Sequence, residues 1–217
     1  PHEAAQCAGL GADAIGVVFF QKSPRHLTAD QARAVVGALP ETVAAVGVFV
    51  DATFSYIMAR VERCGLSMVQ LHGRESARLA ARLRAEGVGV IKVLFVDGRP
   101  GFDDALEFDV DGYLVECTKG PLPGGNAMAW DWGAARAFGH RQLLVLAGGL
   151  SPDNVAEAVR AALPAAIDVS SGVEMSPGRK DPDKVARLIG AVQGTAEQCA
   201  AKTIKAVFRP KGQRPDA

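Results

Sequence analysis

Two groups that can transfer protons stand side by side where an apolar run of the sequence ends. Residues 111–116 read DGYLVE, and the closing Glu116 is followed by Cys117 and by a loop rich in glycine and proline. A carboxyl and a thiol can each donate or accept a proton during a reaction. The residue types alone leave open which of the two does so.

Small and hydroxyl-bearing residues follow the last two apolar runs. They are Gly148 and Gly149 in LAGGLSPDNV, and Ser170, Ser171 and Gly172 in DVSSGVE. Glycines expose backbone N–H groups, and we predict a helix start at Ser151–Pro152 that adds a positive dipole end. Two such loops on adjacent strands predict a phosphate cradle that needs no Lys or Arg.

Three further polar residues lie near the ends of apolar runs. Arg25, in QKSPRHL, could grip a carboxylate with two hydrogen bonds, although a solvated loop arginine explains it equally well. His72 closes VQLHG and could either donate to a substrate or hold neighbouring loops. Asp168 lies in an otherwise apolar segment, so we expect it to be a ligand group or part of a buried network.

Composition excludes several classes of protein. Lys plus Arg equal Asp plus Glu at 24 each, so we expect neither nucleic acid nor a membrane as a partner. The four cysteines are scattered without CxxC spacing, which predicts no metal site and a reduced, cytoplasmic setting. The first ten residues lack the pattern of a secretory signal, and no apolar run is long enough to span a bilayer.

The elements that must position these groups alternate along the chain. Seven apolar runs of strand length are nearly continuous in Val, Ile, Leu and Phe, as strands buried on both faces of a parallel sheet are. The runs are 13–20, 43–50, 67–72, 89–96, 111–116, 142–149 and 166–172. Segments with helical spacing separate them, which predicts a (β/α) repeat in an α/β protein.

The count of elements predicts the architecture. We find seven strands but eight helical segments, the first being residues 2–9, whereas a (β/α)8 barrel has eight strands each followed by a helix. We therefore predict a TIM barrel whose first strand is missing ahead of residue 1, with a doubly wound open sheet as the alternative. Residues 1–192 would form this domain, and residues 193–217 a polar, disordered tail.

The motifs together resemble one family. GADAIGVVF, SPRHL, VGVFV, VQLHG, PGGN with WDW, LAGGLSPDNV and DVSSGVE with PGRKD occur in the order found in phosphoribosylanthranilate isomerase of tryptophan biosynthesis. The resemblance implies a TIM barrel that rearranges the ribosylamine of its phosphosugar-anthranilate substrate into an aminoketose without a cofactor. It also implies that Arg25 contacts the anthranilate carboxylate, that Asp168 meets the opened sugar, and that the residues of the predicted phosphate cradle surround the phosphate.

The reaction needs an acid and a base. In the family, the acid is an aspartate that ends the sixth strand, and aligning DGYLVE with it places Glu116 there, one methylene longer. Adjacent strand residues point to opposite sides, so Cys117 would face away. The family base is a cysteine in a KICG-like first strand that should precede Pro1, and Cys7 cannot replace it because it falls within the first helix.

We therefore expect a truncated form of a complete isomerase, with little activity in the 217-residue chain itself. The alternatives are another phosphosugar barrel, such as an epimerase or a relative of indole-glycerol-phosphate synthase, and a phosphate-binding remnant without catalysis. As to assembly, we expect a monomer or a homodimer.

Overall fold

A computed structural model describes residues 1–117, 129–198 and 207–210. The chain divides into two compact units. The first unit comprises residues 1–93, 106–111 and 208–217, and the second comprises residues 94–105 and 112–207. The PGGN motif and Cys199 lie outside the described residues.

The first unit is built on parallel strands in chain order. They are β1 (Ala14–Val18), β2 (Ala44–Phe49), β3 (Met68–Leu71) and β4 (Gly89–Phe95), the last two residues of β4 belonging to the second unit. In register, Ala14 pairs with Ala44, Val46 with Met68, and Met68 with Gly89. Strands β2 to β4 are almost wholly buried, as their continuous apolar sequences predict.

Four helices accompany these strands: α1 (His2–Gly9), α2 (Ala29–Gly37), α3 (Phe54–Cys64) and α4 (Ala77–Ala85). Thr28 caps α2, because its hydroxyl accepts from the Gln31 N–H while the Gln31 side chain accepts from the Thr28 N–H. Thr53 caps α3 and Ser76 caps α4, each with one hydrogen bond accepted by its hydroxyl group. The core between strands and helices includes Phe19 stacked on Phe49 at 5.0 Å.

The second unit repeats the pattern with shorter elements. Its parallel strands are β5 (Gly112–Glu116), β6 (Leu144–Leu146) and β7 (Ala166–Ile167). Its α-helices are α5 (Arg136–Gly139), α6 (Val155–Ala162) and α7 (Pro182–Gln198), and a small antiparallel pair, β8 (Glu174–Ser176) and β9 (Arg179–Lys180), precedes α7. Short 3-10 helices cover Phe102–Glu107, Trp132–Ala135 and Ser171–Val173.

Two strands have one recorded neighbour each among the described strands: β1 pairs with β2, and β7 pairs with β6. Both are less buried than the other parallel strands, and Gly16 in β1 is exposed. An unpaired strand edge exposes backbone N–H and C=O groups that can bond a further strand. The structure therefore describes seven parallel strands of the (β/α) repeat, as the sequence predicts.

The division into a domain and a tail stays a prediction. Helix α7 continues through Gln198, so the first six residues assigned to the tail are helical. Val207, near the end of the chain, is only 4% exposed.

Candidate active site

Glu116 is the last residue of β5 and is buried, with 5% of its surface exposed. Its carbonyl accepts a 3.0 Å hydrogen bond from the Val96 N–H, which anchors the strand end. Cys117 follows directly and is equally buried. Both proton-transferring groups of the sequence are thus shielded from water at the carboxyl end of a parallel strand, where working residues of (β/α) proteins lie.

The backbone at Gly148 passes close to Glu116. A Cβ atom on Gly148 would lie 3.3 Å from the Glu116 Cβ and 2.8 Å from the Trp130 Nε1. Gly148 also has a φ of 85°, a left-handed conformation that glycine adopts without steric cost. Only glycine lets the loop after β6 approach the acid this closely.

Two indoles hold that loop. Trp130 Nε1 donates to the carbonyl of Ala147 at 2.9 Å, and Trp132 Nε1 donates to the carbonyl of Gly148 at 3.1 Å. With both carbonyls engaged, the peptide groups around Gly148 are fixed in orientation. The WDW motif therefore positions the glycine loop, a role that the sequence did not reveal because the two segments are far apart along the chain.

Helix α6 begins at Val155, later than the predicted start at Ser151–Pro152, and residues 152–154 form a turn. Ser151 still caps this turn, because its carbonyl accepts from the Val155 N–H at 3.0 Å and its hydroxyl accepts from the Asp153 N–H at 3.3 Å. The Asn154 side chain organises the turn: its Oδ1 accepts from the Ser151 N–H at 2.8 Å, and its Nδ2 donates to the Gly149 carbonyl at 2.9 Å. The first of these bonds uses an N–H group that a helix start at Ser151 would have left for an anion.

The loop after β7 packs directly on the loop after β6. A Cβ atom on Gly172 would lie 1.8 Å from the Leu150 carbonyl oxygen, a distance that no side chain can occupy. The predicted cradle residues therefore do come from two neighbouring loops in backbone contact. In the described part of the chain, the N–H groups of Gly148, Gly149, Ser171 and Gly172 donate to no other described residue, so they can serve an anion.

Lys180 adds a positive charge to this region that the sequence reasoning missed. Its Nζ donates to the Ser170 carbonyl at 2.9 Å and to the Glu174 Oε1 at 3.1 Å. Glu174 is buried and also accepts from the Gly178 N–H. The β8–β9 pair thereby supports the serine loop from one side.

Asp168 follows β7 directly rather than lying within the strand. It is half-buried, and its N–H donates to the Leu146 carbonyl at 2.9 Å, which continues the pairing of β6 and β7 by one residue. The carboxylate is therefore less deeply buried than its apolar surroundings in the sequence suggest.

In the first unit, Arg25 lies in the loop after β1. It is half-buried, and its N–H donates to the Ser23 hydroxyl at 3.2 Å. The loop returns at once to the strand, because the Leu27 N–H donates to the Val18 carbonyl and His26 forms a parallel bridge with Val18. This short return holds Arg25 at the carboxyl end of β1.

His72 directly follows β3 and is 6% exposed. Its Nδ1 lies 2.8 Å from Gln70 Nε2, and the fully buried Lys92 donates to the carbonyls of Leu71 and Gly73 on either side of it. Lys92 also pairs with Glu75 at 3.0 Å. Burial lowers the pKa of Lys92, while the Glu75 carboxylate opposes that shift.

The structure thus brings the predicted residues into two groups. In the second unit, Gly148 lies against Glu116, and Gly172 of the serine loop packs on Leu150 in the loop after β6. In the first unit, Arg25 and His72 each occupy the carboxyl end of a strand. Lys92 was missed because a lysine inside an apolar run gives no sign in the sequence of what it contacts.

The described residues contain neither a metal-binding cluster nor a membrane-spanning helix. No group of three or more His, Cys, Asp or Glu side chains there is arranged to hold a metal ion. Among the helices of that same part of the chain, none combines the length and apolar character that crossing a membrane requires.

Parallel strands joined by helices, with polar groups at the carboxyl ends of the strands, are the arrangement found in (β/α) barrel enzymes. Residues 2–191 match the family model of N-(5'-phosphoribosyl)anthranilate (PRA) isomerase, and the chain belongs to that family. It is 52% identical over 189 residues to the N-(5'-phosphoribosyl)anthranilate isomerase of Desulfatibacillum aliphaticivorans, covering 87% of each chain.

Solved structures support the same family assignment. The phosphoribosyl anthranilate isomerase of Thermotoga maritima superposes with a TM-score of 0.80 at 36% identity, covering 89% of this chain and 94% of that one. A second solved structure is a phosphoribosyl anthranilate isomerase in complex with reduced 1-(o-carboxyphenylamino)-1-deoxyribulose 5-phosphate (rCdRP). It superposes with a TM-score of 0.77 at 36% identity, covering 89% of this chain and 93% of that one. The predicted family, barrel fold class and isomerase function in tryptophan biosynthesis are confirmed.

Proposed function

We propose that Glu116 is the general acid of the isomerisation. Its proton passes to the ring oxygen of the ribosylamine, the C1–O bond breaks, and the sugar opens to a Schiff base. A base then removes the C2 proton, and the resulting enolamine tautomerises to the aminoketose. The observation that carries this assignment is the buried Glu116 carboxyl at the end of β5, against the glycine loop at Gly148.

The loops after β6 and β7 bind the substrate phosphate in this proposal. Their support is the set of undonated N–H groups on Gly148, Gly149, Ser171 and Gly172, together with the hydroxyls of Ser170 and Ser171. Backbone N–H groups on closely packed loops can bind an anion without a lysine in contact. Because Glu116 adjoins Gly148, phosphate binding would place the ribose near the acid.

The remaining roles follow the chemistry of the substrate. We assign the anthranilate carboxylate to Arg25, since a guanidinium matches a carboxylate with two parallel hydrogen bonds. We assign polar atoms of the opened sugar to Asp168 and His72. A small molecule carrying both a phosphate and a carboxyphenyl group is bound by the related protein in its complex with rCdRP.

We assign the base to the cysteine that the family carries in a KICG-like strand, a motif that does not occur in residues 1–217. We propose that such a strand pairs with β1, whose free side among the described strands and partial exposure leave room for it. Without that cysteine, residues 1–217 should bind rCdRP but turn it over slowly. A cytoplasmic location and a monomeric or homodimeric state remain predictions.

The test compares the 217-residue chain with the same chain extended by a KICG-type strand ahead of Pro1. Isomerase activity should rise on extension and fall again when the added cysteine is replaced by serine. Equal activity of the two chains would refute the assignment of the base. Binding of rCdRP without turnover in the extended chain would favour a phosphate-binding remnant.

The acid is tested in the extended chain. Glu116→Gln should lower turnover by about 10²- to 10⁴-fold, the usual contribution of a general acid, while the affinity for rCdRP changes little. The matched variant is Glu116→Asp, which keeps the carboxyl and should keep most of the activity. An active Glu116→Gln protein would remove Glu116 from the mechanism.

A further inference from the structure

Arg209 contacts the amino end of a strand rather than a carboxyl end. In the first unit it lies against the start of β3: its carbonyl accepts from the Ser67 hydroxyl at 3.1 Å, and its N–H donates to Met68 Sδ at 3.2 Å. Arg209 falls outside residues 2–191, the part of the chain that matches the family model. These contacts are therefore additional to the elements that the family model covers.

The Ser67 hydroxyl is available to Arg209. Its one proton has two acceptors within reach, the Arg209 carbonyl at 3.1 Å and the Ala45 carbonyl at 3.4 Å. The Ala45 carbonyl already accepts from the Ser67 N–H at 3.0 Å, whereas the Arg209 carbonyl is the nearer acceptor of the hydroxyl proton. Both backbone polar groups of Arg209 are thus bonded at the start of β3.

The Arg209 side chain meets a carboxylate that other residues already hold in place. The Asp111 N–H donates to the Val90 carbonyl at 2.9 Å, and Asp111 Oδ2 accepts from the Val90 N–H at 2.7 Å. The Asp111 side chain is 9% exposed, and Arg84 Nε lies 3.7 Å from its Oδ2. The other oxygen, Oδ1, accepts from Arg209 Nη2. Asp111 therefore presents a fixed, largely buried acceptor to the guanidinium group.

Val207, two residues before Arg209, is buried as well. It belongs to the second unit and is 4% exposed. A Cβ atom on Gly112 of the same unit would lie 3.0 Å from Val207 Cγ1, so the valine fills the space beside that glycine. Burial of an apolar side chain favours the folded state. A segment lying loosely on the surface would bury neither this valine nor the carboxylate partner of Arg209.

We propose that residues 207–210 are an anchor segment, which docks on the chain's own fold and stabilises it without taking part in the reaction. Arg209 defines the anchor site in the first unit, which consists of Ser67, Met68 and Asp111. In (β/α) barrels the amino ends of the strands contribute to stability, whereas the chemistry takes place at the carboxyl ends. The proposal is independent of the roles assigned above to the residues of the candidate active site.

The first measurement is urea unfolding of the full chain. Arg209→Ala should raise the equilibrium constant for unfolding by about 5- to 30-fold, because it removes one partner of an ion pair whose side chains are 25% and 9% exposed. Arg209→Lys should keep most of the stability, since it retains a donor for Asp111 and gives up an Nη1 that has no hydrogen-bond partner in the described part of the chain.

The matched control makes the same change in an exposed ion pair. Arg187 and Asp153 lie 3.5 Å apart with side chains 60% and 84% exposed, and Arg187→Ala should raise the unfolding constant by less than about 5-fold. An effect of Arg209→Ala no larger than that of the control overturns the proposal.

A double-mutant cycle tests the contact itself. Asp111→Asn removes the charge but keeps an oxygen that can accept from the Val90 N–H. The unfolding constant of Arg209→Ala/Asp111→Asn should rise by less than the product of the two single effects, by a factor of about 2 or more. Single effects that simply multiply would show that the two residues do not interact, against the proposal.

The second measurement is hydrogen exchange of the Arg209 amide, followed by NMR in the full chain. Because this N–H donates to Met68 Sδ, it should exchange at least about 10-fold more slowly than in an unstructured chain. Ser67→Ala should remove most of that protection, and Arg187→Ala should leave it unchanged. Exchange at the unstructured rate in the wild-type chain overturns the docking.

Protein concentration distinguishes docking within one chain from docking between two copies. Protection of the Arg209 amide that stays constant over an about 100-fold range of concentration supports docking within the chain. Protection that rises with concentration would mean that a second copy supplies the segment, and it would overturn the proposal.

Discussion

Replacing Lys92 by methionine should destabilise the protein severely although methionine suits an apolar strand. The change removes the ammonium ion from a site with 0% exposure and leaves Glu75, 1% exposed, as an unpaired buried carboxylate. It also deprives the Leu71 and Gly73 carbonyls of their Nζ donor. Breaking a buried ion pair from one side costs about 3–5 kcal/mol.

That cost is a large part of the protein's stability, since the free energy of unfolding of a domain is about 5–15 kcal/mol. For a chain of this length it corresponds to a fall in unfolding temperature of about 6–20 °C. The assay is urea unfolding followed by circular dichroism. The dependence of the unfolding free energy on urea concentration should have the same slope in the variant and the wild type. The control is the surface ion pair of Arg63 and Asp30, whose side chains are 57% and 77% exposed and lie 2.7 Å apart. Arg63→Met should lower the free energy of unfolding by less than about 1 kcal/mol.

A double-mutant cycle separates the pair from its surroundings. The Lys92→Met/Glu75→Gln protein carries neither charge, so its cost should be smaller than the sum of the single costs by about 2 kcal/mol or more. A cost below about 1 kcal/mol for Lys92→Met, or additivity in the cycle, would refute the reasoning.

The pH dependence has a definite sign. Because burial lowers the pKa of Lys92 below its ordinary 10.5, the unfolded chain binds this proton more tightly than the folded chain. The wild-type chain should therefore gain stability relative to Lys92→Met as the pH rises from the folded pKa toward 10.5, by at most about 1.4 kcal/mol per pH unit. Both proteins share Cys64, whose pKa is raised by burial, so its titration cancels in the comparison.

Gly172→Ala should lower stability by about 1–3 kcal/mol and weaken rCdRP binding, because its Cβ would meet the Leu150 carbonyl at 1.8 Å. In urea unfolding the control Gly190→Ala, in open space on α7, should be neutral or stabilising; equal losses would contradict the packing argument. Arg25→Lys should weaken calorimetric binding of rCdRP about 10-fold but leave inorganic phosphate binding unchanged, because the lost fork geometry serves a carboxylate. Trp132→Phe should cost about 1 kcal/mol in unfolding, since it deletes one hydrogen bond to the glycine loop.

The linear order of the residues is enough to predict the (β/α) repeat and the places of the candidate site residues along it. Continuous apolar runs predict buried parallel strands, and six of the seven predicted runs contain an observed strand that ends within four residues of the predicted end. Glu116 and the glycine and serine loops are local features, so their positions at strand ends follow from the linear order of the residues. The run at 166–172 was the exception, because β7 ends at Ile167 and the serine loop begins soon after.

How these groups are held depends on contacts that form only in the folded chain. The Asn154 side chain, not a helix start, occupies the N–H group of Ser151, a choice between two local hydrogen-bonding patterns that the sequence leaves open. The contacts of Lys92 with Leu71, Gly73 and Glu75 join residues that lie on different elements, 17 to 21 positions apart along the chain. Such contacts depend on strand register and burial, which exist only once the strands have paired, and therefore no pattern in the linear sequence reports them.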